Sequence, residues 1–424
     1  MFTSLIKKSP LFQKILVTMS GSLIAQIIAL SASPIITRLY GPEEFGYFSN
    51  VSALATVLVS LLTLSYSMIV VLPKRAVHSE ALVKFTCAFA TLNALIFCAF
   101  NFFFDTSQYI HIGNVSFYEL VVLAYFLAIF EVVTFWLLKK EYFTFRATLL
   151  IIQAIIITVL KVSLGYIFPD ETSLVYSTII GLLVVNIIIF MYSDIKFTLN
   201  NKMVLQGWFC VKRYADIAKY RTPQNMLANF NLLLPILMLT YLYNAEVAGM
   251  YALARTVLLL PGNLISKSVA DVLFPKLSIM FNEKKQLGAL VSKFVFLLSI
   301  IGLIPLLTLF FWGENLFLVV FGERWANAGT YAQWLCVWLY FNFINKPYVT
   351  LIPILKLEKV FLKNSLLNTV LATIGLYAGF YFYDNAIYSI ALFSLCTVIP
   401  QIIIFVITHK KMSAYDNSIK NIKA

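Results

Sequence analysis

Charged residues inside long apolar stretches are the part of this sequence best suited to chemistry. They are the basic residues Lys161, Arg255, Lys267 and Lys346 and the acidic residues Glu131 and Asp271. A lysine or arginine at the centre of a membrane-spanning helix costs roughly 2.5–3.5 kcal/mol on insertion scales, so it usually faces water or a partner. The excess of basic residues suits an anionic ligand, above all one with a phosphate or pyrophosphate group. We therefore predict a phosphate-binding role for the four basic residues.

Three of the basic residues differ in how readily they reach the membrane surface. Lys161 and Arg255 lie about two helical turns from the outer ends of their stretches, and long side chains can extend to the interface from there. Lys346 lies nearer to mid-depth and precedes Pro347, which should kink its helix. Extension of the side chain to the membrane interface is therefore an alternative to phosphate binding for Lys161 and Arg255, and a weaker alternative for Lys346.

The acidic residues are candidates for ion coupling. We predict that Glu131 and Asp271 couple transport to a proton or cation gradient, because an acid within a spanning helix is usually functional. Asp271 follows Lys267 by four residues, so an ion pair on one helix is the alternative for both. For Glu131 a polar packing role explains the residue equally well.

Uncharged polar residues recur at helical spacing within the apolar stretches. In the second stretch, five hydroxyl residues at steps of three or four form one stripe: Ser52, Thr56, Ser60, Thr63 and Ser67. The amides predicted to line the same polar interior are Gln26, Gln224, Asn225, Asn229, Asn231 and Asn263, and Tyr340 and Asn342 are further candidates. Helix packing through small polar residues is the alternative, and it applies better to Ser and Thr than to amides.

The composition shows which elements must position these residues. Of the 424 residues, 61% are hydrophobic and 12% are charged, against roughly 25% charged in soluble domains. A water-soluble globule cannot bury that much apolar surface, so the sequence predicts an all-α integral membrane protein. Twelve spans are predicted, at 15–36, 47–72, 83–104, 118–138, 146–167, 173–193, 222–243, 249–274, 291–312, 331–355, 364–383 and 386–408.

The net charge of +13 follows from the predicted topology. Of the 32 Lys and Arg residues, 26 fall in segments on the N-terminal side of the membrane, two on the opposite side (Arg38 and Arg324), and four within spans. Because cytoplasmic loops carry the excess of Lys and Arg, both termini are predicted in the cytoplasm. The charge therefore indicates a lipid bilayer and not nucleic acid as the partner.

The two halves of the sequence resemble each other. Residues 39–48 match residues 242–251 at an offset of 203, and the segments around Pro73 and Pro275 match at an offset of 202. Six spans in each half would give two six-helix lobes, residues 1–200 and 201–424, in a parallel repeat with a pseudo-two-fold axis along the membrane normal. The alternative is that similar helix hairpins recur by chance.

Other kinds of chemistry are not indicated. The cysteines show no close pairing, and the histidines show no metal-ligand spacing. No G-x-x-x-x-G-K-[ST] phosphate loop occurs, and the short outer loops lack an acid pair backed by a histidine. We therefore expect no cofactor, no metal and no enzymatic activity, which disfavours a membrane glycosyltransferase, polymerase or ligase.

Four segments carry a resemblance to a known family. They are 34–46, 243–253, 273–276 and 321–326, of which the first and last are fairly specific. The sequence resembles, over nearly its whole length, the polysaccharide-repeat-unit flippases of the multidrug/oligosaccharidyl-lipid/polysaccharide (MOP) exporter superfamily, which export O-antigen and capsule units. The resemblance names no particular sugar.

The resemblance implies a bacterial inner-membrane protein that moves undecaprenyl-diphosphate-linked oligosaccharides by alternating access. Cavity Lys and Arg residues would hold the diphosphate while the lipid tail stays in the bilayer, and a polysaccharide polymerase is an implied partner. Carried onto this sequence, the diphosphate-binding residues would be Arg255, Lys346, Lys161 and Lys267. Two rivals share the fold, a drug/cation antiporter and a peptidoglycan-precursor flippase. The basic interior disfavours the first, and the end of the chain after twelve spans disfavours the second.

Overall fold

The computed structural model describes residues 10–73, 75–104, 112–192 and 201–423, and within them the chain is helical. The first eight helices are α1 Pro10–Leu39, α2 Pro42–Thr63, α3 Tyr66–Ile69, α4 Ala76–Phe104, α5 Phe117–Lys139, α6 Phe143–Ile167, α7 Glu171–Tyr192 and α8 Asn201–Arg213. The next seven are α9 Ala215–Leu242, α10 Ala245–Asn282, α11 Gly288–Phe321, α12 Ala326–Ile344, α13 Lys346–Leu351, α14 Glu358–Tyr383 and α15 Ala386–Lys423. A 3₁₀ turn, Glu323–Trp325, precedes α12.

Twelve of the described helices are long, which confirms the predicted all-α membrane fold of two six-helix lobes. Ten of them are long and apolar enough to cross a membrane. The other two, α10 and α12, follow the seventh long helix. By packing, the chain divides within α9 into an N-terminal unit, Met1–Leu237, and a C-terminal unit, Met238–Ala424. The lobe boundary at residue 200 remains a prediction.

The repeat recurs in the packing of each half. In the first, α2 packs on α5, α4 on α5, α5 on α7, and α6 on α7. In the second, the corresponding helices pack in the same order, α10 on α12, α11 on α12, α12 on α15, and α14 on α15. Each half is therefore organised around its fourth long helix.

Equivalent tyrosines end the first helix of each half. The Tyr40 hydroxyl donates to the Lys161 carbonyl oxygen at 2.9 Å, and its ring leaves no room for a Cβ at Gly165 on α6. Tyr243 pairs with the Ser389 hydroxyl at 2.7 Å, and its ring meets Phe380 on α14 edge-on. Both tyrosines are thus fixed against the fifth long helix of their half.

The second predicted span, 47–72, contains a break in its helix. Leu64 and Ser65 have φ of 44° and 56°, so α2 ends at Thr63 and the short helix α3 begins at Tyr66. Non-glycine residues rarely adopt this left-handed backbone, and the surroundings must support it. One support is Asn93 on α4, whose amide donates to the Leu62 carbonyl oxygen at 3.1 Å.

The tenth span is also divided. Its predicted range, 331–355, contains α12 and the short helix α13, which meet at Asn345, one residue before Lys346. The Asn345 amide donates to the Gln401 carbonyl oxygen on α15 at 2.7 Å. This bond fixes the junction from which Lys346 projects.

A short amphipathic helix, α8, precedes the seventh span. Its Trp208 packs on Phe85 of α4, while the Tyr66 hydroxyl donates to the Val211 carbonyl oxygen at 3.1 Å. Phe209 is exposed, and Lys212 lies 5.4 Å from the Trp208 ring. One side of α8 is thus held by the N-terminal unit, and the other presents aromatic and basic groups.

Candidate functional site

A polar cavity of about 410 Å³ lies in the N-terminal unit, between α2, α3, α5 and α9. Its polar lining consists of Thr56, Ser60, Glu131, Thr134, Asn225 and Asn229. Four of these six residues come from the hydroxyl stripe and the predicted amides. The stripe and the amides of α9 therefore meet at one cavity, as the spacing of the residues suggested.

The break between α2 and α3 provides partners for Glu131. Beyond the break, the buried Ser67 donates a hydrogen bond to Glu131 Oε1 on α5 at 2.9 Å. An unbroken helix would carry this residue to a different position, because two left-handed residues change the chain direction. The carboxyl group that lines the cavity is thus oriented by the irregular part of the second span.

Two amides of α9 close the cavity on its other side. Asn225 Nδ2 donates to the Ser65 hydroxyl at 3.0 Å and lies 3.3 Å from the sulfur of Met68. Asn229 Nδ2 donates to the Ser60 hydroxyl at 3.1 Å and to the Thr56 carbonyl oxygen at 3.2 Å. Hydroxyls, amides and one carboxyl group together can bind the hydroxyl groups of a sugar, or a proton or cation.

A second cavity, of about 270 Å³, lies in the C-terminal unit between α10, α11 and α12 and reaches Lys346 at the start of α13. Most of its wall is aliphatic or aromatic, with Pro261, Leu306 and Phe343 as examples. Its polar lining is small and comprises Asn263, Ser266, Tyr340, Asn342 and Lys346. Asn263, Tyr340, Asn342 and Lys346 were all candidates from the sequence.

Of the predicted phosphate-binding residues whose side chains the structure describes, Lys346 alone lines either of these cavities. Its side chain is half-buried. Among the residues whose side chains the structure describes, none forms a hydrogen bond or ion pair with its ammonium group. An unpaired cation beside apolar walls favours an anionic ligand, since the charge is otherwise uncompensated.

Lys161 and Arg255 are not part of the lining of either cavity. The Lys161 ammonium group lies 4.0 Å from the centre of the Phe48 ring, so an aromatic face on α2 stabilises its charge. Arg255 is buried within α10, at 9% exposure, and has interactions within the protein. Lys267 and Asp271 belong to α10 but lie outside the residues whose side chains the structure describes.

Three predicted amides lie outside both cavities. Gln26 on α1 has a buried Oε1 atom with no hydrogen-bond partner among the described residues. Gln224 is exposed, and Asn231 is half-buried with a partner in the protein. The structure therefore assigns Asn225 and Asn229, and not all of α9's amides, to the polar cavity.

Three residues that contribute to the polar cavity or to the helix break beside it were not predicted from the sequence. Ser65 and Thr134 bear on the polar cavity, and Asn93 supports the helix break beside it. Asn93 could have been identified as a candidate, because it is an amide in the middle of an apolar stretch. Ser65 had none, since it follows Leu64 in a run without glycine or proline.

The fold of the chain is similar to those of solved MOP-superfamily transporters. It matches the lipid II flippase MurJ in an inward closed conformation at a TM-score of 0.72 and 14% identity, over 95% of this chain and 90% of that chain. A MOP-superfamily transporter from Pyrococcus furiosus matches at 0.59 and 11% identity, over 95% and 96%. A MATE transporter from Vibrio cholerae matches at 0.58 and 14% identity, over 99% and 98%. At these identities the likeness shows the fold.

Comparison of sequences identifies the family. No curated protein matches the chain significantly. The family profile described as polysaccharide biosynthesis protein matches residues 35–329, which is more than half of the chain. The protein therefore belongs to the polysaccharide biosynthesis protein family, with the helical fold of the MOP-superfamily flippases and transporters.

Proposed function

We propose that this protein is a flippase that moves undecaprenyl-diphosphate-linked oligosaccharide repeat units across the bacterial inner membrane by alternating access. The observation that carries the proposal is the Lys346 ammonium group, which lines a largely apolar cavity and has no partner among the described side chains. Family membership in polysaccharide biosynthesis and the flippase-like fold support it. A transporter of this kind changes no covalent bond, so we propose that the chain is not an enzyme.

The proposed roles of the charged residues differ in their support. Lys346 is the first choice for binding the diphosphate, because it lines a cavity and pairs with no described side chain. Arg255, Lys161 and Lys267 remain proposals as further contacts. Arg255 and Lys161 would need to turn toward the ligand during the transport cycle. Arg is suited to this task by its planar array of donors, and Lys by its mobile point charge.

Ion coupling is proposed for Glu131, with Asp271 as a second candidate. Glu131 lies in the polar cavity and is held by Ser67, so a proton or cation bound there would change that hydrogen bond. The remaining polar groups of this cavity would contact the sugars of the repeat unit. Both termini are proposed in the cytoplasm, with a polysaccharide polymerase as a partner on the opposite side.

The test is export in a strain that lacks its own repeat-unit flippase. Arg255→Ala and Lys346→Ala should lower surface glycan at least tenfold at unchanged protein level. Lys359→Ala is the matched control, because this exposed lysine lies on α14 away from both cavities. Export equal to wild type in both Arg255→Ala and Lys346→Ala would overturn the phosphate-binding assignment.

The same expression system separates the rivals. Complementation of a strain depleted of its peptidoglycan-precursor flippase would indicate the precursor as the substrate. Dye efflux without glycan export would indicate a drug/cation antiporter. The absence of an acidic residue from the predicted first span favours the glycan flippase over the antiporter.

A further inference from the structure

The cavities of the two units differ in the chemistry of their walls. The N-terminal cavity combines hydroxyl and amide groups with the carboxyl group of Glu131. The C-terminal cavity is walled mainly by hydrocarbon, and among the side chains that the structure describes Lys346 is the one charged group in its lining. Such walls cannot satisfy the many hydroxyl groups of a sugar, because a buried polar group without a partner is costly. The C-terminal cavity must therefore serve a different part of any ligand.

Its shape is that of a slot between two helices. Both α10 and α11 pack on α12, and the space between them is the cavity. Gly302 brings α11 close to α12, since a Cβ there would lie 3.0 Å from Phe343. One wall is a face of α11 with Pro305, Leu306 and Leu309. These residues share a face because they follow helical spacing.

The slot ends at a positive charge. Lys346 follows Phe343 by three residues, so both side chains can project from the same side of the chain. A slot with hydrocarbon walls and a cation suits an amphiphile with an anionic group next to a branched hydrocarbon. At about 270 Å³ the cavity is smaller than the roughly 300–1,000 Å³ of pockets for whole ligands, so it holds only part of a long chain.

We propose that this slot binds the first isoprenoid units of the lipid carrier while Lys346 contacts the adjacent phosphate. The inference rests on the proposed flippase function and deepens it. It places the start of the tail in the protein, where the family resemblance would leave the whole tail in the bilayer. The protein then recognises the junction between lipid and phosphate, which is the same for every glycan that the carrier bears.

The test is photo-crosslinking of the purified full chain in nanodiscs. The probe is farnesyl phosphate with a diazirine on its terminal isoprene, and the adducts are located by mass spectrometry. We expect adducts within 257–266, 301–309 and 336–346. Unlabelled farnesyl phosphate should suppress them at least tenfold more effectively than farnesol or inorganic phosphate. Lys346→Gln should reduce farnesyl phosphate to the potency of farnesol.

A bulky substitution in the slot supplies the decisive variant. Leu309→Trp should lower the adduct yield at least fivefold, because the indole ring would occupy the slot. Leu307→Trp is the matched control, since this leucine lies on the outer side of the same helix at 46% exposure and should stay within twofold of wild type. If Leu309→Trp has a lower melting temperature in detergent than wild type, Leu306→Phe, a smaller change in the same wall, is used as the slot variant instead.

Flipping of a fluorescent lipid-linked oligosaccharide in proteoliposomes distinguishes failure of the slot proposal from failure of the proposed flippase function. If wild type flips and Leu309→Trp loses both adducts and flipping, the slot is part of the transport site. If wild type flips and Leu309→Trp crosslinks and flips like Leu307→Trp, the slot proposal is overturned and the flippase function stands. If wild type shows competable adducts in the slot but flips no lipid-linked oligosaccharide, the proposed function fails and the isoprenoid phosphate site stands.

Discussion

The C-terminal helix provides a quantitative test of how the C-terminal unit is held together. Leu287, at the start of α11, has no side-chain oxygen with which to cap the helix. Asp416, far along α15, supplies the cap: its two carboxylate oxygens accept hydrogen bonds from the backbone N–H groups of Leu287 and Gly288, each at 2.8 Å. Beside it, Tyr415 stacks on Phe281 and donates to its carbonyl oxygen at 3.0 Å.

Asp416→Ala removes both hydrogen bonds and the charge at the positive end of α11. Loss of a helix cap costs about 0.5–2 kcal/mol, and a hydrogen bond to a charged group contributes about 1.5–3 kcal/mol. Leu287 is fully buried, so its N–H cannot turn to water instead. We expect the free energy of unfolding to fall by about 2–3 kcal/mol. Asp416→Asn keeps one acceptor and should lose about half as much.

The assay is an SDS unfolding titration in mixed micelles, followed by tryptophan fluorescence. Glu283→Ala is the control, because this exposed residue forms a surface ion pair with Lys285 and its loss should change the unfolding free energy by less than about 0.5 kcal/mol. Gly288→Ala should resemble Asp416→Ala, since a Cβ would lie 2.7 Å from Asp416 Oδ2. Equal stability of Asp416→Ala and Glu283→Ala would refute the capping argument.

Three further predictions concern the N-terminal unit. Asn93→Ala should destabilise the protein by about 1–3 kcal/mol in the same titration, because it leaves the Leu62 carbonyl oxygen without its partner; wild-type stability would mean that the helix break needs no such support. Gly165→Val should lower the free energy of unfolding by a similar amount, because its side chain would force the Tyr40 ring away, and Gly165→Ala should lower it less. Glu131→Gln should preserve folding but make flipping in proteoliposomes independent of an imposed proton or sodium gradient; a retained gradient response would exclude Glu131 as the coupling group.

The number and type of the helices were predictable, because hydrocarbon stretches of spanning length leave few alternatives. Their interruptions were not. Nothing in the run around Leu64 marks a left-handed turn, and the turn depends on partners from α4 and α9 that are remote in sequence. The extension of α15 to Lys423 also went unpredicted, because it depends on the burial of Met412 and Ile419 against the C-terminal unit rather than on a continuous apolar run.

The site was predicted in part. Helical spacing correctly grouped Thr56 and Ser60 on one face, and the amides of α9 meet that face. The charged residues could not be ranked from the sequence, because their surroundings depend on tertiary packing. Lys161 has an aromatic ring as its partner, whereas Lys346 has none among the described side chains, and both look alike as lysines in apolar stretches.

The position of α9 has a consequence for the biosynthesis of the protein. The N-terminal unit extends to Leu237, well into the seventh long helix, so it is incomplete when its first six helices have left the ribosome. Until Asn225 and Asn229 arrive, the hydroxyl groups of Ser65 and Ser60 lack the amide partners that they have in the finished protein. The N-terminal unit therefore cannot complete its polar cavity before the seventh long helix is synthesised, and an expressed fragment that ends at residue 200 should be a substrate for membrane quality control.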